Sequence, residues 1–266
     1  MLKTDPLGGV IYIAMFAVAL LLSLILHECA HGWVAWRCGD PTAKLMGRLT
    51  LNPMKHLDPV GTVFMVLFGF GWARPVPVNP RNFRKYRRDN ILVSAAGIIT
   101  NLLLFLLSLG LSVLVLYFMV GGDFRLNISY QDGTYSYLRM ADSSTRQSIY
   151  WLFINYQLDG AAQSELTRFM AVPWLQYVFQ FLTLMCSFNV SLAIFNLIPI
   201  PPLDGYRLLN DTVFRGNLQV PEQFQRCLRL GLLALCWFGA LNGLLSTCVN
   251  GVWGFFLRLF LGLIPG

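Results

Sequence analysis

From Val10 to Leu26 the chain carries no charged side chain, and this run leads straight into His27-Glu28-Cys29-Ala30-His31. An apolar stretch of this length suits the hydrocarbon core of a bilayer, which a helix of about 20 residues crosses. On a helix, residues i and i+4 share a face, so His27 and His31 can reach one metal ion. Glu28, one position on, stands where it can hold or deprotonate a water on that ion. Ionisable groups at the end of such a run are costly in lipid, and their presence is a functional hypothesis by default. The bland alternative is a chance match, because the pattern fixes only three positions.

The rest of the composition fits the membrane reading. Hydrophobic residues make up 56% of the chain and charged ones 12%, against about 25% charged in a soluble domain. The chain reads as a polytopic membrane protein. The run before the motif lacks a small-residue cleavage site, so it is expected to stay. Ten Lys/Arg against three acids lie between Arg37 and Asp89, whereas Asp123 to Arg168 holds four Arg against five acids. The positive-inside rule puts the first segment in the cytoplasm and the second outside, with the metal motif in the cytoplasmic half of the first span. The basic cluster flanks membrane runs, which argues against a nucleic-acid partner. None of the six cysteines forms a CxxC pair, so no disulfide framework is implied. Cys29 points off the histidine face and reads as helix packing.

The expected fold is an all-α polytopic membrane protein forming one integral-membrane domain over residues 1–266. Three core spans are expected at about 10–36, 91–120 and 173–197, with one or two further membrane helices within 228–264. Asn242-Gly243 and Asn250-Gly251 read as breaks in that last region. The segment 41–90 is expected to be cytoplasmic with a short membrane-associated β or re-entrant part, and 121–172 extracytoplasmic. Val60 to Trp72 is apolar but too short to cross, which suits a re-entrant segment. Gly71 to Pro80, with its alternating prolines, is either an edge strand able to accept an extended peptide or a rigid linker. His56 is either a third metal ligand or a loop histidine bonded to Asp58. In the second span, Gly97 permits close helix approach and Asn101 puts an amide in the membrane. The outer segment is expected to hold a hairpin around Asp132-Gly133 and an amphipathic helix from Ser148 to Met170.

The third span ends in Asn196-Leu197-Ile198-Pro199-Ile200-Pro201-Pro202-Leu203-Asp204-Gly205. Prolines here break any helix, and broken backbone at membrane depth is tolerated only inside protein or beside a water-filled cavity. Counting crossings returns this end to the side of His27 and His31. Asp204 is therefore an allowed third ligand; the alternative is a helix N-cap.

Together these stretches resemble the site-2 protease family of intramembrane zinc metalloproteases. The likeness rests on His27-Glu28-x-x-His31 and on Asn196-x-x-Pro199-x-x-Pro202-Leu203-Asp204-Gly205, with Gly97-x-x-x-Asn101 and Gly71 to Pro80 in support. Ile98 stands where the family often has proline. The compact subgroup without PDZ or CBS modules is the nearest match. The resemblance implies one Zn²⁺ per chain on His27, His31 and Asp204, with Glu28 as general base. Asn101 is implied to hold the substrate backbone or the oxyanion. Substrate would be the transmembrane segment of another membrane-anchored protein, held extended near Val76, Asn196 and Pro199. The implied setting is a prokaryotic cytoplasmic membrane with the site towards the cytoplasm. A membrane metal transporter is the alternative, but no other span carries His.

Overall fold

A computed structural model describes residues 6–61, 74–119, 125–127, 137–139, 147, 150–151, 153–154, 170–218 and 220–263. The long helices are α1 (Pro6–Cys38), α3 (Tyr86–Met119), α4 (Leu175–Leu197) and α7 (Asn242–Gly262). Each of these four is long and apolar enough to cross a membrane. Their outward faces carry large apolar residues such as Val10, Ile13, Leu103, Leu107 and Phe118, all at least half exposed. Such rows are stable against lipid chains and unstable against water.

Shorter elements are α2 (Thr42–Leu45), α5 (Asp204–Thr212) and α6 (Glu222–Trp237), with 3₁₀ turns at Pro53–Lys55 and Pro80–Asn82. Strands β1 (Arg125–Asn127) and β2 (Tyr137–Arg139) pair antiparallel, Leu126 opposite Leu138. This register fits a hairpin, and its turn at Asp132-Gly133 lies outside the described residues. So do residues 62–73, which hold nearly all of the expected re-entrant segment and the start of Gly71 to Pro80. The part of that segment that is described, Arg74 to Asn79, is extended but carries no ladder partner among the described residues. Most of the expected Ser148 to Met170 helix is likewise outside, although Tyr150, Trp151, Phe153 and Ile154 are helical.

Two boundaries differ from expectation. The second span starts at Tyr86 rather than near residue 91, because Asp89 caps its basic first turn: Asp89 accepts from the Lys85 N–H at 2.8 Å and pairs with Arg88 at 2.9 Å. Asn250-Gly251 does not interrupt α7. A glycine inside a helix costs only about 1 kcal/mol, less than exposing the backbone of an apolar span.

The chain divides into two compact units. The first contains Met1–Leu20, Leu104–Ser187 and Gly251–Gly266. Within it the Tyr150 hydroxyl and Ser112 Oγ lie 2.7 Å apart, and the Tyr150 ring meets Phe179 edge-on at 5.3 Å. Phe105 lies 6.3 Å from Trp253. The second contains Leu21–Leu103 and Phe188–Asn250, including every residue of the expected metal site. In it Ser23, His27, His31 and Ala35 recur every four residues along α1 and are all buried. Asn189 of α4 donates to Ser23 Oγ at 2.9 Å, fixing α4 against α1 one turn before His27.

Candidate metal centre

The helical repeat of α1 brings His27 and His31 onto one buried face, their Nε2 atoms 3.0 Å apart. After α4 the prolines stop the helix, and the chain turns through hydrogen bonds from Ile200 N to Ile198 O and from Leu203 N to Ile200 O. Gly205 makes this turn possible: a Cβ there would lie 2.3 Å from the Leu197 carbonyl oxygen. The turn delivers Asp204 at the start of α5, with Oδ2 at 3.3 Å from His27 Nε2 and 3.1 Å from His31 Nε2. Leu203, not Asp204, occupies the N-cap position, and no side-chain cap bond is made there.

The three donor atoms form a triangle with sides of 3.0, 3.3 and 3.1 Å. A tetrahedral zinc ion with ligands at ~2.0–2.1 Å spaces them ~3.3 Å apart, so the triangle fits one face of that tetrahedron. Among the described residues, no well-aligned hydrogen bond reaches the buried Asp204 Oδ2. These three are also the group of metal-ligating side chains found among the described residues. The donor set of two imidazoles and a carboxylate is one that catalytic zinc uses, with a fourth position left for water. The residues present therefore fit zinc.

Packing from α3 closes one side. A Cβ at Gly97 would meet His27 Cε1 at 2.4 Å and His31 Nε2 at 2.5 Å, so only glycine lets the rings rest on the α3 backbone. His31 Nδ1 lies 2.7 Å from the Val93 carbonyl, and His27 Nδ1 lies 3.2 Å from the Asn101 side-chain amide. On the other side runs the extended segment Arg74 to Asn79. Arg48 donates to the Arg74 carbonyl at 2.8 Å, and the Val76 N–H donates to Glu28 Oε2 at 2.8 Å. The Asn79 N–H donates to Asp40 Oδ2 at 2.7 Å.

A cavity of about 300 Å³ opens over His27, His31, Asp204 and Glu28, and Pro75, Val76, Asn196 and Arg207 line it. Of the residues expected to hold substrate, Val76 and Asn196 reach this cavity; Pro202 lines it and Pro199 does not. Asn101 is fully buried and does not line it either. His56 does not join the group of His27, His31 and Asp204, and its expected bond to Asp58 is replaced: its Nε2 meets the Thr50 carbonyl at 2.8 Å, while Nδ1 has no partner among the described residues. Arg207 escaped the sequence reading, although it lies one helical turn after Asp204 and so shares its face.

The sequence model of peptidase family M50 matches residues 15–239. The Bacillus subtilis protein named "Putative zinc metalloprotease YwhC" is 38% identical over 199 residues, covering 75% of this chain and 69% of its own. Rip2 of Mycolicibacterium smegmatis, also named as a zinc metalloprotease, is 33% identical over 119 residues, which is 42% of this chain and 46% of its own. Rip2 of Mycobacterium tuberculosis is 35% identical over 111 residues, or 40% of this chain and 42% of its own. No solved structure matches the chain. With this family match over a buried triangle of two histidines and an aspartate, the chain belongs to peptidase family M50, the site-2 proteases, and is a zinc metallopeptidase of the membrane.

Proposed function

We propose that this chain is an endopeptidase that cleaves a transmembrane segment of a membrane-anchored substrate, using one zinc ion held by His27, His31 and Asp204. The observation that carries the reading is the position of the ligand triangle. Two of its members lie on a span whose preceding turns are charge-free, and a cavity large enough for an extended peptide backbone covers them. Zinc in this site supplies a Lewis acid and lowers the pKa of its water to ~7. Glu28 takes the proton of the attacking water and passes it to the leaving amine.

The resting contact of Glu28 suggests how substrate engages. In an extended chain, alternate residues face opposite edges. Pro75 and Pro77 lack an N–H, so between Arg74, whose N–H meets the His56 carbonyl, and Asn79, whose N–H meets Asp40, the backbone donors are Val76 and Val78, and both line the cavity. At rest the Val76 N–H is taken by Glu28. A substrate strand adding along the edge offers its carbonyl to Val76 and frees the carboxylate for the water. Asn196 and Pro202 face the same cavity and help keep the substrate unwound. The charge pattern supports an orientation with the site towards the cytoplasm of a prokaryotic membrane.

The test is Glu28→Gln in proteoliposomes carrying a panel of single-span substrate proteins. The variant should keep its zinc and lose cleavage by at least about 10³-fold, equivalent to about 4 kcal/mol of barrier. Unchanged turnover would remove Glu28 from the mechanism.

A further inference from the structure

We infer that Asn101 is a positioning residue for His27: its side-chain oxygen selects which nitrogen of the ring faces the metal. The inference rests on the zinc assignment but not on the choice of substrate.

The two histidines are held from behind by the same helix, at positions spaced four residues apart. His31 Nδ1 lies 2.7 Å from the Val93 carbonyl. A carbonyl only accepts, so this nitrogen carries the proton and Nε2 keeps its lone pair for the ion. Gly97, one turn on, is the contact surface for both rings. Asn101, one turn further, places its amide nitrogen Nδ2 3.2 Å from His27 Nδ1. A neutral imidazole carries one proton, so a ring that offers Nε2 to zinc must donate from Nδ1. The Asn101 atom facing it is then the amide oxygen, reached by a half turn of the amide group, whose nitrogen and oxygen are interchangeable in shape. Among the described residues nothing else dictates that orientation, because the amide oxygen as placed finds no hydrogen-bond partner there.

Two observations oppose a substrate-binding or oxyanion role for Asn101. It is 0% exposed, and the cavity over the ligands is lined without it. An oxyanion donor must reach the position of the reacting oxygen, and Asn101 is separated from that cavity by the His27 ring it contacts. Asn101 thus does through a side chain for His27 what Val93 does through its backbone for His31. Only the first can be removed by substitution.

The experiment compares wild-type protein, Asn101→Leu and Asn101→Asp. Zinc affinity is read by competition with a fluorescent chelator in the absence of substrate, and cleavage is read at saturating zinc. Loss of an outer-shell partner typically weakens metal binding ~10–100-fold. That loss is expected for Asn101→Leu, with cleavage recovering as zinc is raised. Asn101→Asp, whose carboxylate only accepts, should bind within about threefold of wild type. If Asn101→Leu kept wild-type affinity and lost turnover, the residue would act on substrate and the inference would fall. Should Asn101→Leu not fold, a loss above tenfold in Asn101→Asp would overturn it equally. A wild-type protein that binds zinc but cleaves none of the substrate panel would defeat the proposed substrate class and leave this inference standing.

Discussion

Asp40 and Asp204 are two carboxylates of the same unit, and their surroundings are opposite. Asp40 is 0% exposed and accepts from the Thr42 hydroxyl and N–H, the Asn79 N–H and the Asn82 amide. Every oxygen faces donors, and those bonds tie the end of α1 to the extended segment before α3. Asp204 points Oδ2 at two imidazole nitrogens and, among the described residues, receives no well-aligned hydrogen bond there. A carboxylate saturated with donors is a structural joint. One that faces two imidazole nitrogens instead has the surroundings of a metal ligand.

Asparagine at each position should separate these roles. Asp204→Asn is expected to lower cleavage at least about 10³-fold, or ~4 kcal/mol. With zinc removed by chelator, its melting temperature should stay within about 3 °C of wild type. Asp40→Asn should do the reverse. Its new N–H₂ group faces donors, which costs roughly 2–4 kcal/mol of stability, while cleavage per folded molecule stays within a few-fold. A cleavage-dead, fully stable Asp40→Asn protein would erase the distinction.

A smaller effect sharpens the same contrast. Burial opposes the charge on Asp40, but the bonds from Thr42, Asn79 and Asn82 outweigh it and lower its carboxyl below the ordinary range. A carboxyl lowered in the native state adds stability above its unfolded value of ~3.9 and loses it as pH falls through the native value. The stability gap between wild type and Asp40→Asn should therefore be flat from neutrality to about pH 5 and shrink below ~3.9. Denaturant melts across that range measure it, and a gap that persisted undiminished at strong acid would show that the charge is not what matters.

The readable part of this site was the part written in periodicity and breaks. The four-residue step from His27 to His31 lies in a charge-free run, and the prolines from Pro199 to Pro202 announce a carboxylate delivered by a turn. Both depend on side-chain type and spacing, which sequence records. Features made of backbone were not readable. The Val93 carbonyl behind His31, the Val76 N–H on Glu28 and the Thr50 carbonyl that takes His56 can belong to any residue type. Asn101 was legible as a polar group near the site, yet the packing that puts it behind a ring and outside the cavity was not. The start of α3 was hidden for another reason. Arg84 to Asp89 reads as a charged loop until the Asp89 contacts to Lys85 and Arg88 reveal a capped first turn.

The central claim is that His27, His31 and Asp204 together hold one zinc ion. Metal analysis and zinc X-ray absorption on the purified protein test it most directly. The account predicts one zinc per chain, with two imidazoles and a carboxylate in its coordination shell, and loss of that zinc in His27→Ala and Asp204→Asn. Zinc retained at full stoichiometry in Asp204→Asn, or a shell without two imidazoles, would contradict it.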